Sequence, residues 1–562
     1  MKSKLNRRAF IGYFSSIGLG STLLPGVLWS NLAAAQSTAI TAEMIGQAEQ
    51  LAGLEFTDEE RDGIAKGIRS LVKNYKALRE VPLTNDVPPA LQFNPVLPGM
   101  VFNKEHKPSV YSEGPIPEIP ADLNDLAFWP VTELAKVIQE RKITSTALTT
   151  LYLDRLKRYG PALECVITLT EERAMTQARK ADKEITAGKY RGPLHGIPWG
   201  AKDLLAVKDY PTTWGAMPFK DQVIDTDAAV VQRLDEAGAV LVAKLTLGAL
   251  AQGDVWFGGK TRCPWNPDRG SSGSSAGPGA ATAAGLVGFA IGSETNGSIM
   301  SPATVNGVTG LRPTFGRISR HGAMALSWSM DKLGPMCRSV EDCALVLDAV
   351  MGPDGQDLTV TDLPFNWNSK TDITKLRIGY LEGAFNQDRR NHNARALEEI
   401  RTLGIDPRPI QFPDLPFNDM GFILTVEAAA AFDDFTRSNM DDELVSQQLT
   451  AWPATFRRAR MVPAVEYLRA NRVRTRLMEA MQELFEDLDV IITPSVSNLY
   501  LGNFTGHPMI AVPNGFNAKS RVPTSIGFMG SLYGEADMMA LAFAYQESTD
   551  YHRKHPDLMR GV

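Results

Sequence analysis

The stretch from Gly270 to Pro302, GSSGSSAGPGAATAAGLVGFAIGSETNGSIMSP, limits the possible folds more than any other part of the chain. It opens with a Gly/Ser turn, Gly270 to Gly277. A small-residue run, Ala280 to Gly285, and an apolar run, Leu286 to Ile291, lead to a second Gly/Ser turn, Gly292 to Ser298. Residues with little or no side chain let backbone approach backbone, or backbone approach a ligand. Two such turns joined by a buried element can hold two hydroxyls side by side. The pair read here is Ser274 and Ser298, 24 residues apart.

The surrounding pattern is that of an α/β protein. Strand-like runs, Gly238–Ala243, Phe289–Ile291, Leu376–Leu381 and Val490–Thr493, alternate with helical ones. Near Val131, apolar residues at helical spacing predict two amphipathic helices, and Asp414 to Met481 reads as helical. This alternation predicts a largely buried sheet with helices on both faces. Apolar residues at 44% and charged ones at 22% exclude a disordered chain. A net charge of −6 gives no sign of a nucleic-acid partner.

Upstream, Thr57-Asp58-Glu59-Glu60 is a capping box. Ile64, Ile68, Leu71, Tyr75 and Leu78 follow at helical spacing and predict one buried face. Nine prolines in residues 82–120 predict an extended wrap or linker, and residues 41–120 are expected to pack across the body rather than form a separate domain. The beginning of the chain reads as an address. Lys2, Lys4, Arg7 and Arg8 form a basic head, an apolar stretch runs from Phe10 to about Trp29, and Ala33-Ala34-Ala35 fits a cleavage site. Asn6-Arg7-Arg8-Ala9-Phe10-Ile11 resembles a twin-arginine export signal. The expected organisation is therefore a signal peptide over 1–35, helices and wrap over 36–125, and a catalytic domain over 126–562. The mature protein is expected in the periplasm or secreted, with no membrane span left after cleavage. Four cysteines, Cys165, Cys263, Cys337 and Cys343, show no pairing pattern and read as buried thiols.

A third chemical stretch is Gly192-Pro193-Leu194-His195-Gly196-Ile197-Pro198-Trp199-Gly200-Ala201-Lys202-Asp203. A lysine held dry after a Gly/Pro-framed apolar turn loses its preference for the charged form and can act as a base.

With these residues in view, the chain resembles the amidase signature family of serine hydrolases. GIPWGAKD, GSSGSSAGPGAA and GSETNGSIMSPATVNGVTGLRPTFG carry the likeness, which continues through Asp331-Lys332-Leu333-Gly334-Pro335 and covers roughly Val131 to the C-terminus. The resemblance implies a mixed sheet covered by helices and a Ser–cisSer–Lys triad. Lys202 would be the base, Ser274 the bridging serine after a cis Gly273–Ser274 bond, and Ser298 the nucleophile. Backbone N–H groups of Thr295, Asn296, Gly297 and Ser298 would form the oxyanion hole. Three positions depart from the usual form. Glu294 stands for Asp, Asn296 for Gly and Met300 for Arg, which leaves Glu294 with one cationic neighbour fewer.

Competing motifs fail. Gly273-Ser274-Ser275-Ala276-Gly277 fits a nucleophile elbow, but Cys263 to Arg269 does not read as the strand that must precede it. Gly258-Gly259-Lys260-Thr261 lacks the first glycine of a phosphate loop, because residue 254 is Asp. The histidines, among them His195, His321 and His507, show no metal spacing; His552 and His555 are three apart but have no acidic or cysteine partner apparent nearby in the sequence, so no metal or cofactor is assigned. The reading is an exported amidase acting on a small-molecule amide. An esterase or aryl-acylamidase on the same triad, or an inactive binding protein, are the alternatives; a monomer and a homodimer fit equally.

Overall fold

The computed structural model describes residues 40–81, 83–386 and 392–558. The export leader read over 1–35 lies outside these residues. Two compact units divide after Thr84, inside the stretch that the sequence groups as one N-terminal region.

The first unit holds a helical hairpin, α1 (Ala42–Ala52) and α2 (Asp58–Leu78). Thr41 caps α1 through Met44 N, and Gly53 ends it with φ +64°. The capping box of α2 is formed. Thr57 N donates to Glu60 Oε2 at 2.7 Å, and Glu60 N donates to Thr57 Oγ1 at 3.3 Å. The expected apolar face is only half realised. Ile64 and Ile68 are half-buried, but Leu71 and Leu78 are exposed. The reason lies in length: α1 has 11 residues and α2 has 21, so the second half of α2 outruns its partner in the hairpin.

The second unit is built on an eleven-stranded mixed sheet. Its strands are β1 (Val166–Leu169), β2 (Pro198–Lys202), β3 (Val240–Leu245), β4 (Phe289–Glu294), β5 (Thr309–Arg312) and β6 (Lys332–Cys337), then β7 (Ile378–Leu381), β8 (Arg408–Ile410), β9 (Val490–Pro494), β10 (Met509–Phe516) and β11 (Pro523–Gly530). Their order across the sheet is β1-β3-β2-β4-β6-β5-β10-β11-β9-β7-β8. All four expected strands are present, as β3, β4, β7 and β9. The residues of β2, which read as a turn in the sequence, form a strand. Pro198 stands first in it, where a missing N–H costs no ladder bond, and β3 and β4 flank it on both sides.

Both faces are covered, so successive residues alternate between cores rather than between core and water. Leu241, Phe289, Ile291, Ile510 and Val512 enter one cluster, while Val240, Val242, Ala290 and Ala511 enter clusters on the other face. Val131–Gln139 (α3) packs on the first face, and Ser145–Leu163 (α4) sends Tyr152 to one cluster and Leu153 to another. The helices that carry the site, α5 (Ala276–Ala283) and α6 (Met300–Asn306), lie on the second face. The 414–481 region is helical as expected; its longest elements, Phe422–Ala431 (α7) and Ala464–Glu486 (α8), are followed by α9 (Leu499–Thr505).

Within this unit the Pro-rich segment is fastened to the body. Asn85 exchanges two hydrogen bonds with Ala325, at 2.9 and 2.7 Å. Phe93 lies edge-on to Phe315 at 5.0 Å and under the Arg474 guanidinium at 3.6 Å. Val110 N donates to Trp367 O at 2.7 Å. Cys263 to Arg269 is partly strand, contrary to the sequence reading: Arg262–Cys263 and Asn266–Gly270 pair as a short ribbon outside the main sheet. The four cysteines are free and buried. Among the described residues no helix is long and apolar enough to cross a membrane.

Candidate active site

β2 and β4 run parallel and adjacent, with Ala201 beside Ile291. Lys202 and Ser293 therefore emerge together at the C-terminal ends of neighbouring strands, where open α/β sheets place their ligands. The two Gly/Ser turns meet there. Ser275 N donates to Ser298 O at 3.1 Å and fastens one turn to the other. Gly273 sits so close to Gly253 that a Cβ would collide with its carbonyl oxygen, and the Gly273–Ser274 peptide bond is cis.

Lys202 is fully buried. Its Nζ donates to Ser274 Oγ at 2.8 Å, Ser293 Oγ at 2.8 Å and Ser275 Oγ at 3.0 Å. Burial pushes its pKa well below the usual lysine range, against the opposing pull of the Asp331 and Glu294 carboxylates. Among the described residues no carboxylate reaches ion-pair distance of Nζ. A lysine in such a place is set up to be a neutral amine that can accept a proton.

Ser298 is half-buried, and its Oγ makes no hydrogen bond among the described residues. Lys202 and Ser274 are thus in direct contact, while Ser298 joins them through the backbone of the turn. The N–H groups of Asn296, Gly297 and Ser298 likewise have no acceptor among the described residues. They line a tight turn that Gly297 closes with φ +84°. Such a turn can receive a developing negative charge.

Two carboxylates hold this turn. Glu294 Oε2 accepts from Ile299 N at 2.9 Å and Met300 N at 3.0 Å, at the start of α6. Its Oε1 accepts from Arg312 Nη1 at 2.9 Å and Asn503 Nδ2 at 3.0 Å. Arg312 and these N–H donors outweigh burial and hold the Glu294 carboxyl at about 2. Met300 supplies no cation to Glu294, and the buried Arg312 of β5 is the cation paired with it among the described residues. Asn296 keeps its turn, with its side chain near Asn503 Nδ2 at 3.4 Å. Asp331 holds the other side. Its Oδ1 accepts from Thr295 Oγ1 at 2.6 Å and its Oδ2 from Leu326 N and Ser327 N at 2.8 and 2.9 Å.

Sequence reasoning finds Lys202, Ser274 and Ser298 but misses Ser275 and Ser293 as partners of the lysine. It also misses Arg312. Ser275 is visible as one of four serines in the first turn. Nothing local ties Arg312 to Glu294, 18 residues earlier on a strand that is not its neighbour in the sheet.

A family model described as Amidase matches residues 147–501. The chain is 32% identical over 478 residues to a glutamyl-tRNA(Gln) amidotransferase subunit from Methylococcus capsulatus, covering 76% of this chain and 98% of that protein. The corresponding protein of Moorella thermoacetica is 31% identical over 487 residues, covering 77% and 99%. The native peptide amidase of Stenotrophomonas maltophilia superimposes with a TM-score of 0.68 at 29% identity, over 76% of this chain and 98% of that one. Everything before residue 147 lies outside the family match.

Proposed function

We propose, because the chain belongs to the amidase signature family, that it is a stand-alone hydrolase of carboxamide C–N bonds with Ser298 as nucleophile. The observation that carries this reading is the fully buried Lys202, whose Nζ contacts three serine hydroxyls and, among the described residues, has no carboxylate within ion-pair distance. A serine needs such a base to attack an amide.

In this reading Ser298 Oγ attacks the carbonyl carbon. Its proton passes to Ser274 Oγ, and the Ser274 proton passes to neutral Lys202. The carbonyl oxygen, now negative, accepts from the N–H groups of Thr295 to Ser298; each such donor supplies about 3–4 kcal/mol of transition-state stabilisation. When the C–N bond breaks, its electron pair stays on nitrogen, which takes the proton back along the same route. The amine or ammonia leaves and Ser298 carries the acyl group. Water then attacks, gives its proton to the relay, and releases the acid as Ser298 is reprotonated.

The similarity to amidotransferase subunits favours one second reading, in which the chain serves as one component of an assembly. The leader-like Asn6 to Ile11 and Ala33 to Ala35 support export, and with it a hydrolase working alone in the periplasm or outside the cell. Labelling by a fluorophosphonate, lost in Ser298→Ala, tests the nucleophile. Hydrolysis by the purified chain, over a panel of primary amides, peptide amides, anilides and esters, tests the reaction. Labelling without turnover of any member would overturn the stand-alone reading.

A further inference from the structure

A cavity of about 170 Å³ lies against the catalytic network. Its floor includes Ser293 and Thr295. Ser293 Oγ touches Lys202 Nζ at 2.8 Å, and Thr295 stands three residues before Ser298. Its walls include Leu204, Leu326 and Leu333, all nearly inaccessible to solvent. Its roof is the Pro-rich segment, through Pro88 and Pro89. That segment is pinned at one end by the paired Asn85–Ala325 hydrogen bonds and at the other by Phe93, held between Phe315 and Arg474. Prolines between two fixed points make a stiff span. The roof belongs to the part of the chain outside the family match.

We infer that this cavity receives the departing amine, and that the substrate is an N-substituted amide whose amine carries one hydrocarbon ring or a branched chain of that size. Three observations carry the inference. An apolar cavity of about 150 Å³ takes up a benzene-sized group, so the volume fits one ring and not two. Hydrocarbon side chains make up much of the wall; of its charged members, Arg320 and Asp357 are paired with each other at 2.9 Å, Asp331 is held by Thr295, Leu326 and Ser327, Lys332 donates to Met330 O, and Asp86 is exposed. The base that collects the Ser298 proton must return it to the departing nitrogen through Ser274, and the cavity floor lies beside that base through Ser293 Oγ. The inference rests on the amidase reading and deepens it.

The test compares N-benzylacetamide with N-methylacetamide, two amides of similar leaving-group chemistry, on the full-length enzyme. Burying the ring predicts kcat/KM about 30-fold higher for the benzyl compound. Ala323 also lines the cavity, and Ala323→Phe would fill it from the wall; the ratio should fall to about three or below. Asn85→Ala frees the roof at one end and should lower the ratio several-fold, and it decides the matter if Ala323→Phe does not fold. Phenylacetamide against acetamide probes the acyl side, where no comparable gain is expected. A ratio near one in the wild type overturns the inference. So does a ratio unchanged in Asn85→Ala, or a ring preference found only on the acyl side. If neither amide is cleaved and no fluorophosphonate reacts, the amidase reading falls. The cavity is then judged by calorimetry, where N-benzylacetamide should bind the wild type at least tenfold more tightly than N-methylacetamide, with the difference reduced in Asn85→Ala; equal binding overturns it.

Discussion

Arg312 Nη1 stands 2.9 Å from Glu294 Oε1, with both side chains fully buried. Through its other oxygen the same carboxylate holds the N–H groups of Ile299 and Met300, directly after Ser298. The pair therefore shapes the turn that presents the candidate nucleophile. Removing one partner of a buried pair leaves an uncompensated charge and costs about 3–5 kcal/mol. Arg312→Met should lower the unfolding free energy by that order. Met300 N is already within 3.0 Å of Glu294 Oε2, so adding Met300→Arg to Arg312→Met should restore part of the loss by supplying a cation from the other side. Denaturant unfolding of the single and double variants measures this. A double variant no more stable than Arg312→Met would show that the cation is not transferable.

Lys202 can accept a proton only as the free amine, and burial drives it toward that form. The rate of labelling by a fluorophosphonate should rise with pH as Lys202 loses its proton. Lys202→Ala should slow acylation by ~10²-fold or more. Lys202→Arg, which cannot deprotonate near neutral pH, should be about as slow. An arginine variant that labels at the wild-type rate with an unchanged profile removes Lys202 from the mechanism.

Asp331 and Thr295 share a hydrogen bond but should affect the pH profile differently. The Asp331 carboxylate is the larger of the two charges that raise the Lys202 pKa against burial. Asp331→Asn keeps the shape and removes the charge, so the rise in labelling rate should move to lower pH. Thr295→Val removes a 2.6 Å donor to Asp331 and leaves its charge in place. It should lower kcat by about tenfold through a looser turn, with the rise left where it is. A profile that shifts equally in both variants would contradict the separate roles.

The stability of the fold should fall on acidification for two reasons with the same sign. Burial and the Arg312 charge push His507 down to about 3. In the unfolded chain a histidine takes a proton near pH 6.5, so folding loses stability as pH drops below that value. Glu294 is held at about 2. Its contribution is complete above the ordinary glutamate value near 4.3 and is lost as pH falls from there toward about 2. Between pH 6.5 and 4.5 the His507 share alone amounts to about 2–3 kcal/mol. Chemical denaturation at a series of pH values should show this slope, and His507→Gln should flatten it between pH 6.5 and 4.5.

These residues also show what the sequence can and cannot reveal. Lys202, Ser274 and Ser298 sit in Gly/Ser- and Gly/Pro-rich segments, and such segments advertise themselves because only small residues permit the close approach. The four strands read from apolar runs are legible because a sheet covered on both faces needs no polar alternation. β2 escapes notice because its five residues include Pro198 and Gly200, which read as turn chemistry until its neighbours on both sides are known. Ser293 and Arg312 escape for a different reason. Ser293 acquires its role when β2 and β4 become neighbours, and Arg312 when its side chain reaches Glu294 past the intervening β6; no spacing in the sequence records either.

The Pro-rich segment provides the final prediction. The sequence predicts that it wraps the body, and several of its contacts lie within the second compact unit: Asn85 with Ala325, Phe93 with Phe315 and Arg474, and Val110 with Trp367. Ser112 adds another, donating from its N–H to Glu341 Oε1 at 2.7 Å. A chain that starts at Asn85 keeps all of these, and a chain that starts at Leu126 keeps none. Stripping the strap also exposes the Arg474 guanidinium face and the Phe315 ring that Phe93 covers. The Leu126 chain should therefore melt at least about 5 °C below the Asn85 chain, the shift that a loss of a few kcal/mol produces in a protein of this size. Differential scanning calorimetry on the two truncated chains measures the difference. Equal melting temperatures would mean that the strap rests on the body without stabilising it.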